Sequence, residues 1–138
     1  RSGIGKKTHE GDGLTPEGVW RLISIMYRKD RLISYANKTI NIRDTWSDDP
    51  RDPNYNKLSK PETKFSYEKL WRPDPIYDLI GITDYNWPEP KSGLGSAIFL
   101  HAWRKPRHPT EGCIAFSITD LKLVFKLLEN TSKIIIKS

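Results

Sequence analysis

Cys113 is the sole cysteine of the chain and stands in the segment Pro109-Thr110-Glu111-Gly112-Cys113-Ile114-Ala115-Phe116. His101 comes twelve residues earlier, at the end of the apolar run Ala97-Ile98-Phe99-Leu100. A thiolate is a strong nucleophile and a thiol a weak one, and an imidazole within reach can turn one into the other near neutral pH. The pair therefore has the makings of covalent acyl chemistry, with Cys113 as nucleophile and His101 as base. The ordinary alternative is a small buried hydrophobe, the commoner fate of a lone cysteine. Two local features favour chemistry. Gly112 removes a side chain where backbone must come close to a strand or a substrate. The polar, proline-bearing stretch 103–109 would let His101 and Cys113 flank one loop and meet.

Strands and one helix must position that pair. Val19 to Tyr27, after the Leu14-Thr15-Pro16-Glu17-Gly18 turn, reads as a strand, and a short strand is expected around Thr39–Arg43. Thr45 to Lys69 holds three prolines and no sustained hydrophobic period, so it is expected to be a long loop or inserted excursion. Its Asp48-Asp49-Pro50 and Asp52-Pro53-Asn54 are turn formers; as a metal site they lack a regular ligand spacing. Ile76 to Thr83 reads as a further strand, and Ser96 to Trp103 as a central one, apolar on both faces. Ser117 to Leu128 is the one convincing helix, because Leu121, Val124, Phe125 and Leu128 recur at i, i+3, i+4 and i+7. Ser117 or Thr119 can cap it, with Asp120 in the first turn. Ile134-Ile135-Ile136 closes the chain as a strand. The expected fold is mainly β with one late helix, and Cys113 is expected just before that helix.

The 138 residues suit one domain with a core of its own, and a 36% hydrophobic, 11% aromatic composition excludes a wholly disordered chain. No apolar run approaches the roughly 20 residues that span a bilayer, so no transmembrane segment is expected. A single cysteine makes no internal disulfide. The opening Arg1-Ser2-Gly3-Ile4-Gly5 reads like the interior of a longer protein whose N-terminal segment is missing. The net charge is +6, and Arg104, Lys105 and Arg107 place part of it between His101 and Cys113. Such a patch suits an anionic partner or is simply a solvated loop. No stacking platform or recognition helix marks nucleic acid as that partner.

Together these residues resemble a known family. Ile98-Phe99-Leu100-His101, a basic loop, Thr110-Glu111-Gly112-Cys113 and then Asp120-Leu121 resemble the YkuD-like L,D-transpeptidase catalytic domain. So does the upstream Gly11-Asp12-Gly13 with Thr15-Pro16-Glu17-Gly18-Val19-Trp20, and the likeness runs from about Gly11 to Ile136. The chain also departs from the common pattern. Glu111 stands where the family usually has His, Ala115 where it usually has Arg or Asn, and the His-to-Cys loop is short. The likeness is to a branch carrying Pro-Thr-Glu-Gly-Cys and a Trp/Tyr-rich insertion such as Trp46 to Trp71.

The resemblance implies a YkuD-like β-sandwich of one catalytic domain over 1–138, with a loop-rich insertion. It implies Cys113 as nucleophile, His101 as base, and the Ala102 carbonyl orienting the imidazole. Backbone N–H groups near Gly112 and Cys113 would stabilise the oxyanion. Thr110 and Glu111 would support the pair, Glu111 by facing a cation, since a carboxylate facing Cys113 would oppose the thiolate; a loop-bracing Glu111 is the plainer reading. Arg104 would grip a donor carboxylate, with Lys105 and Arg107 as rim charges. Tyr55, Asn56 and Trp71 are candidates to line the cleft, against the reading of aromatic packing under a long loop. The implied partner is peptidoglycan stem peptide, cut at an L–D bond between the third and fourth or the first and second residues. The acyl group would pass to an amine acceptor; trimming by water and a non-catalytic peptidoglycan-binding relic are the alternatives. No metal or organic cofactor is needed, a monomer is expected, and the family implies the bacterial periplasm or cell envelope.

Overall fold

The computed structural model describes residues 2–33, 38–62 and 64–138. The elements run β1 (Ile4–Gly5), β2 (Thr15–Pro16), β3 (Gly18–Trp20), β4 (Leu22–Tyr27), β5 (Lys38–Thr39) and β6 (Thr45–Ser47). Then come β7 (Leu58–Ser59), β8 (Tyr67–Lys69), β9 (Leu79–Thr83), β10 (Phe99–Ala102), β11 (Ile114–Phe116), the helix α1 (Ile118–Leu127) and β12 (Ile134–Ile136). The principal sheet has five strands in the order β11-β10-β9-β4-β5. β9 is antiparallel to both its neighbours, while β10 and β11 run parallel.

The sheet separates two apolar clusters, and the period of two along each strand decides which side chain joins which. Leu79 and Leu100 point to one face, where they meet Leu121 and Phe125 of α1. Ile80, Ile82 and Phe99 point to the other, joined by Met26, Trp46, Leu70 and Tyr77. Gly81 faces the helix, and a Cβ there would sit 2.8 Å from Phe125 Cζ, so its bare backbone is what lets Phe125 lie on the sheet. α1 begins where Ser117 Oγ accepts from Asp120 N at 3.0 Å, and it ends where Leu128 N reaches Val124 O. Burying an apolar side chain such as Leu121 stabilises by about 1.5–3 kcal/mol, which is what docks so short a helix.

On the opposite face β7, β6 and β8 form a three-stranded antiparallel sheet of their own. Trp46 of β6 meets Phe99 edge to face at 5.2 Å. The stretch Thr45 to Lys69, expected to be a long loop or an inserted excursion, is an excursion that forms a small second layer. Its strands are two or three residues long, less than two periods each, which is why no pattern marked them.

Other expectations shift at their edges. The strand expected over Val19 to Tyr27 is two strands parted at Arg21, whose N–H turns aside to Asp84 Oδ1 at 2.8 Å. Of the strand expected around Thr39–Arg43 only Lys38–Thr39 is present, because Asp44 folds the chain into a turn by accepting from Asn41 N. Ile76 to Asp78 is a turn and not strand, with Asp78 N donating to Pro75 O at 3.1 Å. The central strand starts only at Phe99, since Ala97 has φ 53. Cys113 does not immediately precede the helix; β11 intervenes, beyond the single turn over which a helix N-terminus helps a thiolate. Among the described residues, no helix is long and apolar enough to cross a membrane.

Candidate active site

Strand parity brings His101 and Cys113 to one face. Phe99 and His101 alternate with Leu100 on β10, and β11 lies parallel with His101 opposite Ala115 and Leu100 opposite Ile114. Cys113, one step before β11, shares the face of Ala115 and packs against the Phe99 cluster. Gly112 makes this entry feasible. Its φ is +119, and a Cβ there would lie 2.7 Å from the Leu14 carbonyl oxygen. The segment before β2 therefore presses directly on the Cys113 loop. That segment is pinned by the buried pair Lys7–Asp12 at 2.5 Å, with Lys7 Nζ also donating to Leu14 O at 3.1 Å. Burial alone would push the Asp12 carboxyl up, but Lys7 and the Thr8 and Leu14 N–H groups hold it well below the usual range.

His101 is buried, and its Nδ1 lies 2.7 Å from the Ala102 carbonyl oxygen. A carbonyl only accepts, so Nδ1 carries the proton and Nε2 keeps its lone pair as a base. Tyr77 meets the imidazole edge to face at 5.4 Å. The Cys113 thiol donates to Ala97 O at 3.0 Å and accepts from Phe99 N at 3.4 Å. Among the described residues no hydrogen bond joins Cys113 to His101, and the sulfur is turned toward Ala97 O and Phe99 N. Burial, reinforced by the Glu68 carboxylate, pushes the thiol up to about 12. Burial also pulls His101 down. The resting pair is thus neutral thiol and neutral imidazole. Turning the sulfur from Ala97 O toward Nε2 would place donor beside acceptor, a tightening that catalytic pairs commonly undergo only with substrate bound.

A cavity of about 330 Å³ opens over this pair. Thr110, Glu111, Arg104 and Ala115 lie on its wall beside Cys113 and His101. Thr110 Oγ1 donates to the Cys113 carbonyl at 2.5 Å and so braces the backbone there. Arg107 faces a neighbouring groove along β11 and β12 instead, and Lys105 is exposed.

Three candidates from the insertion lie elsewhere. Tyr55 is buried behind the wall, donating to Glu10 Oε2 and accepting from Gly95 N at 2.9 Å. Asn56 is buried too, holding Trp46 Nε1, Ala97 N and the Tyr85 and Asn86 carbonyls together. Trp71 packs under the Arg28 guanidinium, 3.5 Å from its ring centre. None of the three lines the cavity. They are scaffold, as aromatic and amide groups under a folded layer usually are.

The sequence reading missed the groups that replace them. Glu68 of β8 enters the cavity and accepts a hydrogen bond from the buried Tyr77 hydroxyl. Arg72 holds Asp74 with two bonds of 2.8 and 2.6 Å and lies over the Tyr77 ring. No sequence signal marked Glu68, because its strand is only three residues long.

The comparison with protein families decides what this arrangement belongs to. The L,D-transpeptidase catalytic domain, YkuD, matches residues 1–136. The chain belongs to that family. No curated protein and no solved structure matches it. As a YkuD domain it carries an L,D-transpeptidase-family function, and the mainly β architecture with its late helix agrees with the fold the resemblance implied. The family's substrate is peptidoglycan and its usual setting the cell envelope.

Proposed function

We propose that this YkuD domain is a cysteine-dependent peptidoglycan L,D-transpeptidase. The observation that carries the proposal is the shared cavity. Cys113 and an imidazole with a free Nε2 open into one space on one face of the sheet. His101 takes the thiol proton, and the sulfur attacks a carbonyl that follows an L centre. The new C–S bond forms as the C–N bond breaks, and the departing amine of the D residue leaves with the proton from His101. Backbone N–H groups at Gly112 and Cys113 face the developing oxyanion. An amine from a second stem then attacks the thioester and restores the thiol.

Arg104 at the rim is the donor-carboxylate contact in this scheme, and its exposure suits a substrate that arrives from solvent. Thr110 and Gly112 hold the nucleophile's loop, and the Ala102 carbonyl holds the base. No cofactor enters the reaction. The setting is the bacterial periplasm or cell envelope, and the protein acts as a monomer.

Muropeptide analysis tests the reaction type. The domain is incubated with disaccharide tetrapeptides, and the products are separated and weighed. Crosslinked dimers dependent on Cys113 support transpeptidation, and their masses tell whether the bond after the third or after the first stem residue was opened. Shortened monomers alone would replace this reading with hydrolysis. Unaltered muropeptides that nonetheless bind would support a binding relic, a reading the sulfur's resting turn toward Ala97 favours.

A further inference from the structure

Tyr77 touches both side chains of β10 that frame the gap between thiol and base. Its ring meets Phe99 at 5.9 Å and 77° and His101 at 5.4 Å and 75°, edge to face in each case. Phe99 N is the donor that holds the Cys113 sulfur, and His101 is the imidazole that must receive its proton. Tyr77 is itself buried and held from two sides. Its hydroxyl donates to the half-buried Glu68, and the Arg72 guanidinium lies 5.2 Å from its ring centre. Arg72 is fixed in turn by its paired bonds to the Asp74 carboxylate.

The backbone fixes the same pair of rings. Ala102 N, directly after His101, donates to the carbonyl of Ile76, directly before Tyr77, at 3.2 Å. The turn that carries Tyr77 is anchored on its other side as well: Asp78 O accepts from Arg28 N at 2.8 Å, and the Asp78 carboxylate pairs with Arg31. His101 needs such a neighbour. The torsion that sets an imidazole's plane has broad wells, so contacts decide it and intrinsic preference does not. The bond from Nδ1 to Ala102 O holds one edge of the ring and leaves its face to be supported by packing. Tyr77 supplies that support without chemistry of its own. Burial pushes its hydroxyl far above the ordinary value, and the hydroxyl is already committed to Glu68, so it is neither acid nor base here.

Resting on the acyl-transfer reading above, we propose that Tyr77, clamped by Glu68 and Arg72, is a positioning residue that fixes the plane of the His101 imidazole. Nε2 is then aimed before the Cys113 sulfur turns in from Ala97 O. Only the thiol rotor has to move on the way to the reactive pair. The base gives up no orientational freedom in the transition state, and that is how a supporting side chain raises a rate.

The test times acylation by a disaccharide stem peptide, read as intact mass, in the wild-type chain, Tyr77→Leu and Tyr77→Phe. Loss of the ring in Tyr77→Leu should lower the saturating rate about a hundredfold and leave the half-saturating donor concentration nearly unchanged. Tyr77→Phe keeps the ring and should recover about tenfold of that loss. An unchanged rate in Tyr77→Leu, or a Tyr77→Phe no faster than Tyr77→Leu, would overturn the proposal. A second readout needs neither turnover nor variant: NMR of the nitrogen-15-labelled imidazoles in the wild-type chain. His101 should show a single tautomer protonated at Nδ1, with a nuclear Overhauser contact between its ring protons and those of Tyr77. Mixed tautomers, or no such contact, would overturn the positioning role even if the acyl adduct forms. The expected signals in a chain that is never acylated would support the hold of Tyr77 on His101 and sink the transpeptidase reading.

Discussion

The two faces of the five-stranded sheet are made by the same strands and do different work. The helix face is dry: Leu79, Leu100, Leu121 and Phe125 fill it, and Gly81 is trimmed to admit Phe125. The insertion face begins with the same kind of packing, Phe99 against Trp46 and Tyr77, and then turns polar within two residues along β10. His101, Cys113, Tyr77 and Glu68 gather there around a cavity. One face stabilises the sheet, and the other uses that rigidity to hold reactive groups in place. The lesson is that substitutions on the two faces should separate stability from chemistry.

Cys113→Ala draws the sharpest line. It should abolish acyl transfer altogether while shifting the urea midpoint little, since the thiol is replaced by a slightly smaller apolar group. Loss of folding in this variant, seen as a lost near-ultraviolet dichroism signal, would show that the faces are not separable. The complementary change is Phe125→Ala. It should lower unfolding free energy by about 3–5 kcal/mol in urea titrations and leave the chemistry of the residual folded protein intact.

Thiol reactivity sharpens the comparison further. Because burial raises the Cys113 thiol from 9.0 to about 12, the folded chain holds it protonated where the unfolded chain has begun to ionise. Alkylation at mildly alkaline pH should therefore be about tenfold or more slower in native protein than in urea, the gap closing only as pH climbs toward the folded value. Equal rates would mean that the sulfur is not held inward.

A pH effect on stability should come from the Lys7–Asp12 pair behind the Cys113 loop. The Asp12 carboxyl is depressed in the folded chain, so its contribution is fully present above the unfolded value of 3.8. It is lost as pH falls from there toward the folded value. Asp12→Asn should flatten the acid limb of the stability curve measured by denaturant titration. The smallest effect belongs to the helix face: Ser117→Ala removes the cap of α1 and should cost about 1 kcal/mol with no change in acylation.

Much of the helix face was legible in sequence because a ten-residue helix repeats its stripe often enough to be seen, and Ser117 and Leu128 sit at its observed caps. His101 and Cys113 stood out in sequence because few residue types can do such chemistry, and the fold brings both to one cavity. The insertion was not legible. β6, β7 and β8 are too short for alternation to register, so nothing local tested the cleft positions that the family resemblance suggested for Tyr55, Asn56 and Trp71. Glu10 and Glu68 reach the cavity from positions 58 residues apart, joined by tertiary packing that no local pattern encodes. The close approach of the Leu14 carbonyl to Gly112 is of the same kind.

The central claim is that Cys113, served by His101, becomes acylated by a stem peptide. Intact mass of the wild-type chain and Cys113→Ala after incubation with disaccharide stem peptides tests it most directly. The account predicts an acyl adduct on the wild-type chain alone, with a mass that identifies the opened L–D bond. No adduct on either chain, or the same adduct on both, would contradict it.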